Sequence, residues 1–404
     1  MVSALSVSAI GAFQGSLSVL LTISYGAIVA KLGIIRPTTV KDISTLCANV
    51  FLPALFIANI GKNISIGNVS GYAPIFLWSI IYTLVSMGMG KLAVRWWGLP
   101  SWTVAAVTFN NTTSLPLLLT KSFASTGILT PIAGGDPSGA VERATSYFLV
   151  NSLVAKTATF ILGPHLFGND CFDSSLSPVP LMISVEPSEA SLLLPKVQPI
   201  SSANSPPASF TARRVLLLFT PTTWGAIFAL IIGLTPSLHR TFFAPPQEGG
   251  YLSAWVSESL RNVGDVFTVL QIFIVGANIS QSFQMDATGE SPNPPKKALI
   301  AIFAIRFVFW SLISLPLVYY LAAETNVLPK DPIIWWCLIL IPIGPPAMIL
   351  STLLEVIGVG QRGKFMVART LAFMYCITPI ISLVVVGALK VCEIALEKKG
   401  RDVM

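Results

Sequence analysis

Apolar residues fall in long blocks along this chain, separated by short polar connections. A membrane span needs about 20 predominantly apolar residues, and ten stretches reach that length: roughly 8–30, 42–60, 72–94, 101–122, 145–166, 216–234, 257–281, 297–321, 332–354 and 366–392. They predict an all-α membrane protein with ten transmembrane helices. Two blocks are interrupted by residues foreign to a span, FNNTTSLPLLL at 109–119 and IPIGPPAMILSTLLEV at 341–356. Each lies in the fourth span of its half. Unwound backbone is tolerated at membrane depth only where protein buries it or it lines a cavity, so paired interruptions point to a transporter site near the bilayer midplane.

The one long polar connection, about 168–212, is rich in Ser and Pro (DSSLSPVP, SSANSPPASF) and separates five spans from five. Such a composition disfavours packed structure. The expected organisation is a first five-helix repeat at 1–166, a flexible cytoplasmic linker at 167–212 and a second repeat at 213–404. An odd number of spans per half inserts the second half upside down relative to the first, giving two inverted repeats. A faint echo links the second and seventh spans, NVFLPALFIANIG against VFTVLQIFIVGANIS.

Composition agrees with the pattern. With 53% hydrophobic and 11% charged residues over 404, and a mean hydropathy of +0.74, the chain is too apolar for a water-soluble core. Its partner is the lipid bilayer. No basic residue precedes the first span and its apolar run extends to Ala30, so it reads as a retained span and not a cleaved signal peptide.

Basic residues mark the cytoplasmic side. With the N-terminus outside, the inner loops hold thirteen: Lys31, Arg36, Lys41, Lys91, Arg95, Lys196, Arg213, Arg214, Lys296, Lys297, Arg362, Lys364 and Arg369. The outer loops hold six: Lys62, Lys121, Arg143, Arg240, Arg261 and Lys330. Both termini are therefore expected in the lumen or exterior, against the pull of Lys390, Lys398, Lys399 and Arg401 in the tail. Sequons at Asn63 and Asn68 fall in a connection placed outside, although such triplets also arise by chance. The net charge of +7 is then a topology signal, and nucleic-acid binding, which needs a clustered basic face, is not expected.

Catalytic and cofactor signatures are missing from the sequence. Cys47, Cys171, Cys337, Cys376 and Cys392 lack metal-type spacing, His165 and His239 are the only histidines, and no HExxH, GxSxG or Walker motif occurs. No cofactor and no enzyme activity are expected.

The interruptions carry the candidate chemistry. Pro116, Pro345 and Pro346 each remove a backbone donor and disfavour helix in the residue before, while Pro suits the first turn of a following helix. Free N–H groups at such a helix start carry a positive dipole end that suits a carboxylate. Asn110 and Asn111 offer amide donors, and Thr112, Thr113 and Ser114 offer hydroxyls. Helix packing is the alternative for each, since Pro, Gly, Asn, Ser and Thr also serve as kinks and interhelical bridges.

Two cations lie inside spans, Lys156 near the middle of the fifth and Arg306 about a third into the eighth. Each is a candidate for anion binding or coupling, with snorkelling as the alternative, easier for Arg306. Trp78, Phe109, Phe148 and Trp335 are candidate walls for an apolar slot. Acids are scarce: Asp42, Glu258 and Asp265 sit at span ends. Ion coupling usually shows an intramembrane carboxylate. The expectation is an uncoupled anion carrier, with a sodium- or proton-coupled relative as the alternative and a receptor as a third reading.

Four stretches, YGAIVAKLGIIRPTTVKDISTLCANVFLPALFIANIG (25–61), NNTTSLPL (110–117), LQIFIVGANIS (270–280) and PIGPPAMI (342–349), resemble the auxin efflux carrier, or PIN-like, family in order and placement. The short linker resembles the endoplasmic-reticulum PIN-like branch, fungal members included. The resemblance implies a scaffold and homodimer surface built from the first, second, sixth and seventh spans. It implies a mobile transport unit from the rest, in which the broken fourth and ninth helices cross. It also implies elevator-type alternating access, an organic acid anion as substrate (an indole carboxylate, or a dicarboxylate), and the endoplasmic reticulum membrane, with the plasma membrane as alternative. By the family pattern Asn111 and Pro116 match the fourth-span crossing, and Gly344, Pro345 and Pro346 the ninth. Lys156 matches no family motif. The expected substrate-binding set is thus Asn110, Asn111, Thr112, Pro116, Lys156, Gly344, Pro345 and Pro346.

Overall fold

A computed structural model describes residues 4–167, 221–284, 293–356 and 361–401. Apart from Phe167, the linker expected at 167–212 lies outside the described residues. In chain order the helices are α1 (Ala4–Lys31), α2 (Pro37–Gly61), α3 (Val69–Trp97), α4 (Trp102–Thr108), α5 (Ser114–Ser125), α6 (Pro137–Leu166) and α7 (Pro221–Leu234). They continue with α8 (Pro236–Phe243), α9 (Ser253–Gln281), α10 (Lys296–Ala323), α11 (Pro332–Leu340), α12 (Ile349–Val356), α13 (Gln361–Cys376) and α14 (Ile381–Arg401). Among the described residues the only β-type pairing is an isolated antiparallel bridge, Asn110 with Pro346.

Among the described residues six helices are long and apolar enough to cross a membrane: α1, α2, α3, α9, α10 and the run Thr378–Lys399 that contains most of α14. Others are shaped by proline. At Pro236 the chain bends by 101° between α7 and α8. Within α2, π-turns at Cys47–Phe51 and Ile57–Gly61 flank Pro53, whose missing N–H breaks the regular ladder. Stops and starts follow familiar chemistry. Gly98 ends α3 in the left-handed conformation, φ +61°, which suits a residue without Cβ. Asp136 caps α6 by accepting the Gly139 N–H at 2.9 Å, and Asp331 caps α11 by accepting the Ile333 N–H at 3.1 Å, each followed by Pro at the first helical position.

Helix contacts are tightest where side chains are smallest. A Cβ at Gly26 on α1 would fall 1.8 Å from the Phe273 carbonyl oxygen of α9, and one at Gly276 on α9 would fall 1.8 Å from the Ile23 carbonyl oxygen of α1. Those two backbones touch, as small residues permit when lipid supplies no hydrophobic drive between helices.

One expected span needs correction. The stretch 366–392 is not one helix: α13 ends at Cys376, and a 3-10 turn at Thr378–Ile380 precedes α14. Pro379 has no N–H to give to the preceding turn, and the Thr378 hydroxyl instead donates to the Tyr375 carbonyl at 2.8 Å.

Candidate functional site

Both interruptions unwind the helix, and the unwound pieces meet. Between α4 and α5 the backbone is extended at Phe109, between α11 and α12 it turns at Ile341 and bends at Gly344 and Pro345, and the two segments pair antiparallel at Asn110 and Pro346. The Asn111 N–H donates to the Pro345 carbonyl at 2.9 Å and the Ala347 N–H to the Phe109 carbonyl at 2.9 Å. Pro345 and Pro346 supply acceptors but no donors here, so the pairing takes its N–H groups from Asn111 and Ala347. Gly344 sits at φ +151°, a conformation that L side chains rarely adopt, directly before Pro345. Pro116 is the third residue of α5, where its missing N–H costs no helical bond. Pro345 and Pro346 do not share that role. They lie in the unwound segment itself, with α12 beginning at Ile349.

A broken helix leaves carbonyls without partners, and in a membrane each must be satisfied by protein. Side chains from two helices, α3 and α10, and from the break itself do so. The Trp78 indole N–H donates to the Leu338 carbonyl at 2.9 Å, and the Asn110 amide to the Ile341 carbonyl at 2.7 Å. Arg306 donates from Nε to the Gly344 carbonyl and from Nη1 to the Val107 carbonyl, both at 3.0 Å. Tyr82 donates its hydroxyl to Asn110 Oδ1 at 3.1 Å. Asn111 serves the other end: its Oδ1 accepts the N–H groups of Thr113 and Leu115 at 3.2 and 3.4 Å, and its Nδ2 donates to Ser114 Oγ at 2.9 Å and Tyr375 Oη at 2.6 Å. Both asparagine amides are therefore spent on holding the crossing. Snorkelling is excluded for Arg306, whose side chain is fully buried.

On the side where α5 and α12 begin lies a cavity of about 400 Å³. Asn110, Asn111, Thr112 and Lys156 all reach it, so four of the expected residues share one wall; Pro116, Gly344, Pro345 and Pro346 shape the crossing behind it. Half-buried Lys156, on α6, forms no ion pair with a described residue. Three further amide side chains face the space, Asn49 from α2 and Gln271 and Asn278 from α9, and none makes a hydrogen bond to another described residue. Beside them Leu52, Leu153, Phe267 and Met348 form an apolar wall. Among the described residues no Asp or Glu lines the cavity.

The sequence reading missed Asn49, Gln271 and Asn278, although they lie in the two mutually similar stretches of the second and seventh spans. Tyr375 was missed because 366–392 was read as one span. None of the four candidate aromatic walls lines the cavity: Trp78 and Trp335 spend their indole N–H groups on the Leu338 and Pro329 carbonyls, Phe148 packs edge-on against Trp336, and Phe109 is buried in the break. Phe267 is the aromatic that does.

A second cavity, about 230 Å³, lies further along α2, α5, α6 and α9. Two ion pairs cross it, Lys62–Glu142 at 2.8 Å between the C-terminal cap of α2 and α6, and Lys121–Asp265 at 3.0 Å between α5 and α9.

This arrangement, two broken helices paired at their breaks beside a polar cavity with a lysine that no described residue pairs, has the features expected of a solute site in a helical membrane protein. The family model described as "Membrane transport protein" matches residues 13–386, nearly the whole chain. The chain belongs to this family, that of the auxin efflux carriers. An uncharacterised transporter of Schizosaccharomyces pombe is 23% identical over 402 residues, covering 86% of this chain and 88% of its own. A second uncharacterised transporter, from Saccharomyces cerevisiae, is 23% identical over 424 residues, covering 94% and 96%. PIN-LIKES 7 of Arabidopsis thaliana is 26% identical over 144 residues, 36% of this chain and 34% of its own. The protein is thus an integral membrane transporter, and the crossing lies within the part of this carrier that the family model matches.

Proposed function

We propose that this carrier moves an organic acid anion, foremost an auxin-like indole carboxylate, by elevator-type alternating access. The observation that carries the reading is the cavity at the crossing. It joins two half-helix starts, the cation Lys156 and the amides of Asn49, Gln271 and Asn278, none of them paired by a described residue, to an apolar wall at Leu52, Phe267 and Met348. A carboxylate finds positive partners at one end, and a ring finds an apolar surface at the other.

In this reading the chain has ten spans in two inverted repeats, 1–166 and 213–404, joined by a cytoplasmic linker at 167–212. The pairs α4–α5 and α11–α12 are the fourth and ninth spans. The closely packed α1, α2, α7 and α9 form the scaffold and homodimer surface, and the remaining helices carry the site. With lumenal termini in the endoplasmic reticulum membrane, the large cavity, which begins near Ser44, opens to the cytoplasm, and the smaller one near Lys62 lies on the lumenal side. That no described Asp or Glu lines the cavity wall favours uncoupled transport, driven at about 2.3 kcal/mol per 100 mV for each charge moved.

The test is current from purified protein on a solid-supported membrane, challenged with indole-3-acetate and malate, beside Lys156→Gln. A substrate-specific current without an imposed sodium or proton gradient, weakened in the variant, is expected. Current only under such a gradient would move the assignment to a coupled carrier, and silence from folded protein with every organic acid would overturn it.

A further inference from the structure

We propose that Arg306 is the countercharge that lets the crossing act as an anion site, a positioning residue that touches no substrate. This rests on the anion-carrier reading. Arg306 is fully buried and forms no ion pair with a described residue, yet a guanidinium remains protonated in a protein. Such a charge is expensive in a membrane interior and persists where it has work to do. Its partners show what that work is.

Each broken helix presents two ends to the middle of the molecule. The starts of α5 and α12 face the large cavity and carry the positive ends of the peptide dipoles. The stops of α4 and α11 carry the negative ends, and Arg306 binds the carbonyls just there: Val107 in the last turn of α4, and Gly344 past the end of α11. One cation bridges both stops. Each helix end is worth roughly half an elementary charge, so one guanidinium offsets about the pair. Without it, two negative ends would lie across the crossing from the bound carboxylate and cancel much of the pull of the two positive ones.

Local structure delivers the side chain to this place. Arg306 lies within a π-turn, Ala304–Phe309, inside α10, and such turns re-aim side chains from the regular helical face. Tyr82 completes the surroundings through Asn110, which itself holds the Ile341 carbonyl, so neutral donors already serve the neighbouring groups. The Nη2 of Arg306 is buried without a hydrogen-bond partner. Geometry alone would have been met by an amide at lower cost; the retained positive charge is what an amide lacks.

The experiment compares wild type with Arg306→Gln and Arg306→Lys in the solid-supported membrane assay, with indole-3-acetate and malate as probes. Folded protein is quantified by size-exclusion chromatography. Arg306→Gln keeps a donor and loses the charge, and its KM is expected to rise about tenfold, the equivalent of about 1.4 kcal/mol of lost dipole compensation. The maximal current per folded molecule should change much less. Arg306→Lys keeps the charge and loses the fork, and its KM should return to within about threefold of wild type. A KM for Arg306→Gln equal to wild type, or equal damage from Gln and Lys, overturns the proposal while the carrier reading stands. If Gln does not fold, Lys alone decides, a KM within about threefold of wild type supporting the proposal and one raised about tenfold overturning it. Failure of both variants to fold beside an active wild type marks Arg306 as a structural tie and likewise overturns it. Silence of wild type itself removes the anion reading and this proposal together.

Discussion

At the scale of single residues, the polar groups at the crossing divide by whether protein already uses them. Asn111 gives its oxygen to the N–H groups of Thr113 and Leu115 and its nitrogen to Ser114 and Tyr375, as a helix cap does. Asn111→Ala should therefore behave as a lost cap in a buried network, costing about 1–2 kcal/mol, and is expected to lower the thermal midpoint of the detergent-purified protein. Gln271→Ala should not: its amide faces the cavity without a partner among the described residues, so stability should stay within about 0.5 kcal/mol while the apparent affinity for the anion falls. A thermal shift series run beside the current assay separates the two. From sequence, Asn110 and Asn111 were recognisable because amides are foreign to lipid. That their amides are consumed internally was not, since the acceptors at Ile341 and Tyr375 lie more than two hundred residues away. Lys156 was legible as a charge inside a span, and Asn49, Gln271 and Asn278 lay hidden in stretches that read as ordinary apolar helix.

At the scale of elements, proline and glycine announced the breaks only where they clustered. PIGPP combines two residues that cannot donate with a glycine at φ +151°, and NNTTSLP pairs a proline with a run of polar side chains; both unwound as expected. A lone Pro379 in an apolar run carried no such signal, because a single proline often only kinks a membrane helix. The π-turns were equally silent, as they leave the composition of the helix unchanged. The glycine gives a direct test. In Gly344→Ala the added methyl meets open space, so the cost is backbone strain alone, about 1–3 kcal/mol. Relief of that strain would move the Gly344 carbonyl off Arg306, and a loss of transport larger than the fall in thermal midpoint implies is the expected result.

At the scale of the whole molecule, the two cavities lie along the same four helices, and the ion pairs across the smaller one join opposite partners. Lys62, at the C-terminal cap of α2, reaches Glu142 on α6, while Asp265 on α9 is reached by Lys121 on α5. If α2 and α9 belong to the scaffold and α5 and α6 to the moving unit, both pairs must part when the small cavity opens and the large one closes. Each pair is partly exposed and worth only about 0–1 kcal/mol. Two of them still suffice to bias a balanced two-state equilibrium by up to roughly thirtyfold, and salt should weaken that bias. The double variant Glu142→Gln with Asp265→Asn is therefore expected to favour the state with the small cavity open. Membrane-impermeant maleimide reports it: a cysteine at Thr145, on the small cavity, should label faster than in the parent, and one at Thr157, on the large cavity, should label more slowly. Labelling that changes in the same direction at both positions would signal general loosening, and equal rates at both would mean that these pairs do not hold the two sides apart.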